Sequence, residues 1–265
     1  MSFQPAIPQG GLAGWRFLQR TLDTQTASFD RRPDITRDTV YFEARIGTIS
    51  SAQELVSDRR LLRVALGAFG LQDDINNRFL IRKVLEDGTL REGALANRLS
   101  DSRYREMAQT FGFGDLAVPS TRLSDFGAKV TERYRRQQFE QAVGQQNGTM
   151  RLAMSATRAL PDLVGGNESE RTKWFRIMGN PPLRRVFETA LGLPATFGKL
   201  DLERQLSVFQ DRSRSQLGLG SLKELTDPVT MDRLIQRFLL KSDAAGQTAS
   251  DRGTVALGLL LQARR

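Results

Sequence analysis

Side-chain chemistry near neutral pH most often rests on histidine or cysteine, and this chain of 265 residues contains neither. Their absence excludes a Ser-His-Asp triad, a thiolate nucleophile, a disulfide, a histidine phosphorelay and the usual zinc sites in one step. Carboxylates, lysine and tyrosine remain for any enzyme reading. The close acidic pairs are Asp73 with Asp74 and Asp201 with Glu203. Each pair stands where a helix needs an N-cap, so capping rather than acid–base catalysis is the role its position predicts. QLGLGS at residues 216–221 is glycine-rich but lacks the lysine and the spacing of a phosphate-binding loop. The sequence therefore assigns no catalytic residue, no cofactor and no metal site.

Charge offers a second kind of chemistry. The net charge is +9, and of the 39 basic residues only 6 are lysine. Such a balance permits nucleic acid or an acidic protein surface as a partner. The densest run supplies Arg133, Arg135 and Arg136 as candidate anion contacts. Basic residues are not gathered on a recognition helix, and aromatic residues are not interleaved with them. Nucleic-acid binding is accordingly the alternative reading and not the leading one.

The elements that would carry any such site are helical. In the stretch Leu61–Phe113, Leu61, Ala65, Ala68 and Phe69 recur at helical spacing, with Leu62 and Leu66 widening the stripe and Gly70 ending it. Ile75, Phe79, Leu80, Val84 and Leu85 predict a second helix closed by Gly88. A third, short one carries Ala94, Leu95 and Leu99. Ser100 or Asp101 caps a fourth, with Tyr104, Ala108 and Phe111 before Gly112.

The unit recurs in degraded form. LRRVFETALGL from Leu183 lies over LLRVALGAFGL from Leu61, pairing Ala68 with Ala190 and Gly70 with Gly192. Downstream, LSDSRYREMAQTFGF from Leu99 echoes LTDPVTMDRLIQRFLL from Leu225. In the second copy Asn180 with Pro181 and Pro182, Asp201, and Asp227 with Pro228 each read as a cap followed by an apolar stripe. The expected fold is all-α, with two related multi-helix lobes from an internal duplication joined by a long helix.

The expected organisation runs in five parts: a flexible or partner-docking segment at 1–30, a first lobe at 31–120, a connecting helix and loop at 121–165, a second lobe at 166–240, and a linker with an apolar tail at 241–265. Residues 34–46 compete between helix and strand, and helix ended by Gly47 is favoured. Ser51 with Glu54 forms a capping box, and Asp58 caps the helix at Leu61. Asn167 with Glu170 makes a cap-like pair before Trp174, which is expected in a core between the lobes. At the N-terminus Trp15, Leu18 and Leu22 form a sparse stripe, read either as a partner-docking face or as a helix on the protein's own core. Leu257, Leu259, Leu260 and Leu261 make an apolar tail suited to an oligomer or partner contact.

No run approaches the roughly 18 apolar residues of a membrane span, so membrane insertion is not expected. The N-terminus lacks the pattern of a secretory signal. Cytoplasmic residence, or export without a cleaved signal, follows as the expectation.

YFEARIGTISSAQELVSDRRLLRVALGAFGLQDD, then FLIRKVLEDG, ANRLSDSRYREMAQTFGF, WFRIMGNPPLRRVFETALGLP, LDLERQLSVF and LTDPVTMDRLIQRFLL together resemble the uncharacterised bacterial domain-of-unknown-function family 1217 over roughly residues 15 to 240. Genes of that family are often found among flagellar genes. The resemblance implies a motility role; with the polar N-terminus and the two terminal amphipathic segments, the expectation is a non-catalytic structural or interaction protein of the flagellum, as axial component or assembly factor, with other proteins, flagellar ones included, as partners, and the apolar tail adds self-association. It supplies no catalytic residue to carry over.

Overall fold

A computed structural model describes residues 3–262, with side chains described for residues 3–245. Every regular element in it is helical, and no strand occurs among the described residues. In chain order the helices are α1 (Gly11–Asp30), α2 (Pro33–Ile46), α3 (Ala52–Ser57), α4 (Arg59–Ala68), α5 (Arg78–Asp87), α6 (Leu95–Arg98), α7 (Ser102–Phe111), α8 (Phe126–Gln146), α9 (Gly148–Gly165), α10 (Glu170–Met178), α11 (Pro181–Ala190), α12 (Leu202–Leu217) and α13 (Pro228–Gln262). Short 3-10 turns at Gln72–Asp74, Ser120–Arg122, Ala195–Lys199 and Leu222–Thr226 join some of them.

The chain forms two compact units, one of Met1–Ala6 with Leu18–Gln146 and one of Ile7–Phe17 with Asn147–Arg265. The division therefore falls at Asn147, whose side chain accepts from the Met150 amide and caps α9. The long helix expected as a connector is α8, and it belongs to the first unit.

The first unit is built around α4. Asp58 caps it by accepting from the amides of Arg60 and Leu61 at 2.9 and 3.1 Å. Leu61, Leu62, Val64, Ala65, Leu66 and Ala68 are all completely buried, because α4 is covered by α2, α3 and α8. Gly67 permits that coverage: a Cβ there would come within 2.7 Å of the Tyr134 ring on α8. Residues 34–46 settle as helix, since Ile35, Thr39, Phe42 and Ile46 at helical spacing all find the core. One predicted stripe is wrong in its register. On α5 the buried face is Ile81, Val84 and Leu85, whereas Phe79 is 74% exposed. Two residues before Ile81 on a 3.6-residue period is the far side of the helix.

The second unit is built around α11 in the same manner. Asn180 caps it by accepting from the Leu183 amide at 3.2 Å, with Pro181 and Pro182 in the first turn. Leu183, Val186, Phe187 and Ala190 are completely buried under α9, α10 and α13. Trp174 lies inside this core, not between lobes: its ring stacks on Phe209 at 5.8 Å and meets Phe187 edge-on at 5.4 Å. The cap of α10 is Ser169, accepting from the Thr172 amide, in place of the expected Asn167.

The two units share wiring at the paired helices. Both α4 and α11 end in a glycine of positive φ, Gly70 at 70° and Gly192 at 62°. In both, the amide of the next residue reaches back to a carbonyl five residues earlier, Leu71 to Leu66 at 2.9 Å and Leu193 to Glu188 at 2.8 Å. An arginine from the last long helix of each unit then donates its Nε to the final carbonyl, Arg133 to Ala68 and Arg237 to Ala190, each at 2.8 Å. The second echo does not survive. Leu99–Phe113 forms α7, which packs on α5, α6 and the Ser120–Arg122 turn, whereas Leu225 leads into α13, which packs on α11 and α9. By packing, α13 corresponds to α8.

Candidate functional site

A shallow, open concavity of about 590 Å³ lies on the first unit, walled by Arg45, Ile49, Gln53, Glu54, Ser57, Asp58 and Arg59. It forms where α2 ends, α3 crosses and α4 begins. Two of its carboxylates are committed to the backbone. Glu54 accepts from the Ser50 amide at 2.7 Å, and Ser51 accepts from the Glu54 amide at 3.2 Å, which together close the start of α3. The Ser50 amide holds the Glu54 carboxyl below the usual carboxylate range.

Asp58 does more than cap α4. It also accepts from the Tyr41 hydroxyl at 2.6 Å, and the Arg60 guanidinium lies over the Tyr41 ring at 4.0 Å. Partial burial works against the charged form of Asp58, yet the Tyr41 hydroxyl and the Leu61 and Arg60 amides outweigh it, so its carboxyl sits low. The same bond to Asp58 raises the Tyr41 phenol. Seventeen residues separate Tyr41 from Asp58 in sequence; the capping pattern marks Asp58, but nothing marks its tyrosine partner. Both carboxylates of the concavity, Glu54 and Asp58, are thus engaged by neighbouring amides and hydroxyls, and Arg45 and Arg59 line it beside them.

The carboxylate pairs separate in their roles. Asp201 caps α12 through the Arg204 amide at 2.9 Å, as its position predicts. Asp73 and Asp74 make no side-chain cap. Asp74 instead accepts from the Tyr104 hydroxyl at 2.7 Å and the Asn77 side-chain amide at 2.8 Å, tying the turn after α4 to α7. Burial is the first cause, and the Asp74 bond the second, of a Tyr104 phenol raised far above its ordinary range. No group of three acidic residues that could hold a metal occurs among the described residues.

The arginine run does not converge on an anion. Arg133 serves Ala68 and also pairs with Glu106 at 2.6 Å while covering the Phe69 ring at 4.2 Å. Arg135 pairs with Glu43 at 3.7 Å, and Arg136 pairs with Glu132 one turn away. Successive positions on a helix point about 100° apart, so sequence adjacency spreads these arginines over different partners.

Neither Trp15 nor Leu18 presents a docking face. They are 3% and 1% exposed, Trp15 in the second unit's core and Leu18 in the first unit's, and Leu22 is half-buried. The apolar stripe is consumed by the protein itself, which corrects the partner-binding assignment. Leu257, Leu259, Leu260 and Leu261 lie outside the residues whose side chains are described; the backbone of α13 runs through them, and through the stretch read as linker. No helix among the described residues is long and apolar enough to cross a membrane.

Comparison with curated proteins finds no match. Among solved structures the chain is similar to the X-ray crystal structure of a structural-genomics target protein from Agrobacterium tumefaciens. The two share 26% identity with a TM-score of 0.73, over 91% of this chain and 98% of that one. A family model described as "Protein of unknown function (DUF1217)" matches residues 68–231, which include α4's end, all of α5 to α12 and the start of α13. With more than half its length under that model, the chain belongs to the DUF1217 family.

Proposed function

We propose that the protein is a non-catalytic helical interaction protein, built by duplication of one helical unit, and that it acts in the assembly or structure of the motility apparatus. The duplication is supported by the matched arginines Arg133 and Arg237 closing matched helices, since two unrelated bundles have no reason to repeat that bond at the aligned alanine. The motility setting is carried by the family resemblance alone.

One observation supports protein binding above the other readings. The first unit leaves Phe79, Leu90, Leu116, Val118 and Leu123 between 51% and 79% exposed, all within 45 residues of chain. Single exposed apolar residues are ordinary; five large ones on one unit leave apolar area that a protein partner would cover.

The reading is tested by affinity capture from the native cell. The full chain is compared with a variant carrying Phe79→Ser, Leu90→Ser and Val118→Ser, after circular dichroism shows unchanged helicity. Loss of the same captured proteins in the variant supports it; identical capture by both overturns it. Normal swimming in a strain lacking the gene would remove the motility part while leaving the binding part standing.

A further inference from the structure

The concavity of the first unit has its acceptors in use and its strongest donors free. Both oxygens of Asp58 are taken, one by the Arg60 and Leu61 amides at 2.9 and 3.1 Å and the other by the Tyr41 hydroxyl at 2.6 Å. Glu54 accepts from the Ser50 amide at 2.7 Å and the Ser50 hydroxyl at 3.2 Å. The side-chain oxygen of Gln53 accepts from Arg82 at 2.8 Å. Arg45 and Arg59 are exposed, and neither forms an ion pair among the described residues.

Two arginines and two carboxylates share the wall, so its formal charge cancels and does not decide what binds. Hydrogen-bonding capacity does. A guanidinium carries donors only, and two of them face a ligand while the acids are occupied. Arg122 adds a third cation beside the wall: its Nη1 donates to the Gly47 carbonyl at 2.9 Å, and its charge helps to lower the Glu54 carboxyl.

One rim is apolar. Arg82, bonded to Gln53, holds its guanidinium over the Phe79 ring at 5.6 Å, and Phe79 is 74% exposed. One hydrogen bond and one ring contact thus carry the surface from the concavity to a bare aromatic ring, across the packed pair α3 and α5.

We propose that this concavity and its Phe79 rim dock an acidic segment of a partner protein, with carboxylates on Arg45 and Arg59 and an adjacent apolar side chain over Phe79. The arginine fork matches a carboxylate in two parallel bonds, and an aromatic ring beside it supplies the anchor. The proposal rests on the reading of the chain as an interaction protein and names the chemistry of what docks.

The test titrates the full chain into a short fluorescent peptide of glutamate and leucine at low salt and follows anisotropy. Arg45→Gln combined with Arg59→Gln should weaken binding about tenfold, with helicity unchanged because both side chains are exposed. Phe79→Ser should weaken it as well, and a peptide with glutamine in place of glutamate should bind the wild type and the arginine variant alike. A wild-type chain that ignores the acidic peptide, or an arginine variant that binds it as well as wild type does, overturns the proposal. So does a DNA duplex that binds more tightly than the peptide and is lost in the same variant, which would give the arginines to phosphates. The two failures separate: a peptide indifferent to Arg45 and Arg59 removes this site, while loss of captured proteins in the apolar variant would still stand.

Discussion

Arg133 donates its Nε to the carbonyl of Ala68 at 2.8 Å, joining the last residue of α4 to the middle of α8. Carbonyls at a helix end have no partner within the helix, and water is kept from this one by a completely buried alanine. The guanidinium supplies the missing donor and stacks its flat face on Phe69. Arg133→Met keeps the length of the stem but removes both bonds, and should cost about 2 kcal/mol. Arg133→Lys should recover little, because one ammonium cannot serve Ala68 and Glu106 in the fork geometry. Urea unfolding of the three proteins reads the difference.

Arg237 makes the equivalent bond to Ala190 and reaches Gln216 where Arg133 reaches Glu106. The second unit thus replaces an ion pair with a neutral acceptor. Raising salt to about 1 M, where the screening length is about 3 Å, should narrow the cost of Arg133→Met more than that of Arg237→Met. Equal narrowing in both would count against the assigned partners.

Much of this arrangement can be read from the sequence. The caps at Ser51, Asp58, Asn180, Asp201 and Asp227, and the closing glycines Gly70, Gly88 and Gly112, are local devices: a side chain or a backbone angle acting within one turn. The first matched segment is legible because α4 and α11 keep both their buried stripe and their closing glycine. The second misleads because cap-then-stripe is shared by any amphipathic helix, while in packing α13 covers α11 as α8 covers α4. The partners of Tyr41, Asp74 and Arg133 lie 17, 30 and 65 residues away. No spacing rule reaches that far, which is why neither the concavity nor the arginine clasp is visible in the sequence. Trp15 and Leu18 mislead for another reason: an amphipathic stripe specifies that it will be covered, not by whom.

Gly192 isolates the cost of a positive φ. A Cβ there meets nothing within 4 Å among the described residues, whereas one at Gly70 would also approach Arg103 Nη1 at 3.2 Å. Gly192→Ala should therefore destabilise by about 1 kcal/mol from backbone strain alone, with Gly192→Asn milder. Gly70→Ala should cost more, as Arg103 must also move. Thermal unfolding followed by circular dichroism ranks them, and a cost at Gly192 as large as that at Gly70 would contradict the role given to Arg103.

The two tryptophans of the second unit should respond unequally. Trp174 fills a cage of Phe187 and Phe209, so Trp174→Ala should cost about 3–5 kcal/mol. Trp15 is equally buried, but its Nε1–H has no acceptor among the described residues. Trp15→Phe removes that unpaired donor along with some volume, and the two effects oppose each other. The change should cost less than Trp174→Phe, as denaturant midpoints would show.

Asp58 gives the stability of the first unit a defined pH dependence. Its carboxyl lies low in the folded chain and near 3.9 in an unfolded one. The unfolded state therefore binds its proton first as pH falls. The contribution is complete above about pH 5 and is withdrawn as pH drops through the folded value. Other low carboxyls such as Asp87, Asp115 and Asp227 behave alike, and Asp30, raised mainly by burial, behaves oppositely. Comparison with Asp58→Asn cancels those shared effects. The variant should be less stable at pH 7 by about 1 kcal/mol, the worth of a charged cap, and the two proteins should converge as pH falls through the lowered folded value. Tyr41→Phe should shrink the pH-dependent difference, because the hydroxyl is the largest of the bonds that favour the charged carboxylate. Urea midpoints of wild type, Asp58→Asn and Tyr41→Phe across this acid range read all three effects, and parallel curves for wild type and Asp58→Asn would refute the assignment.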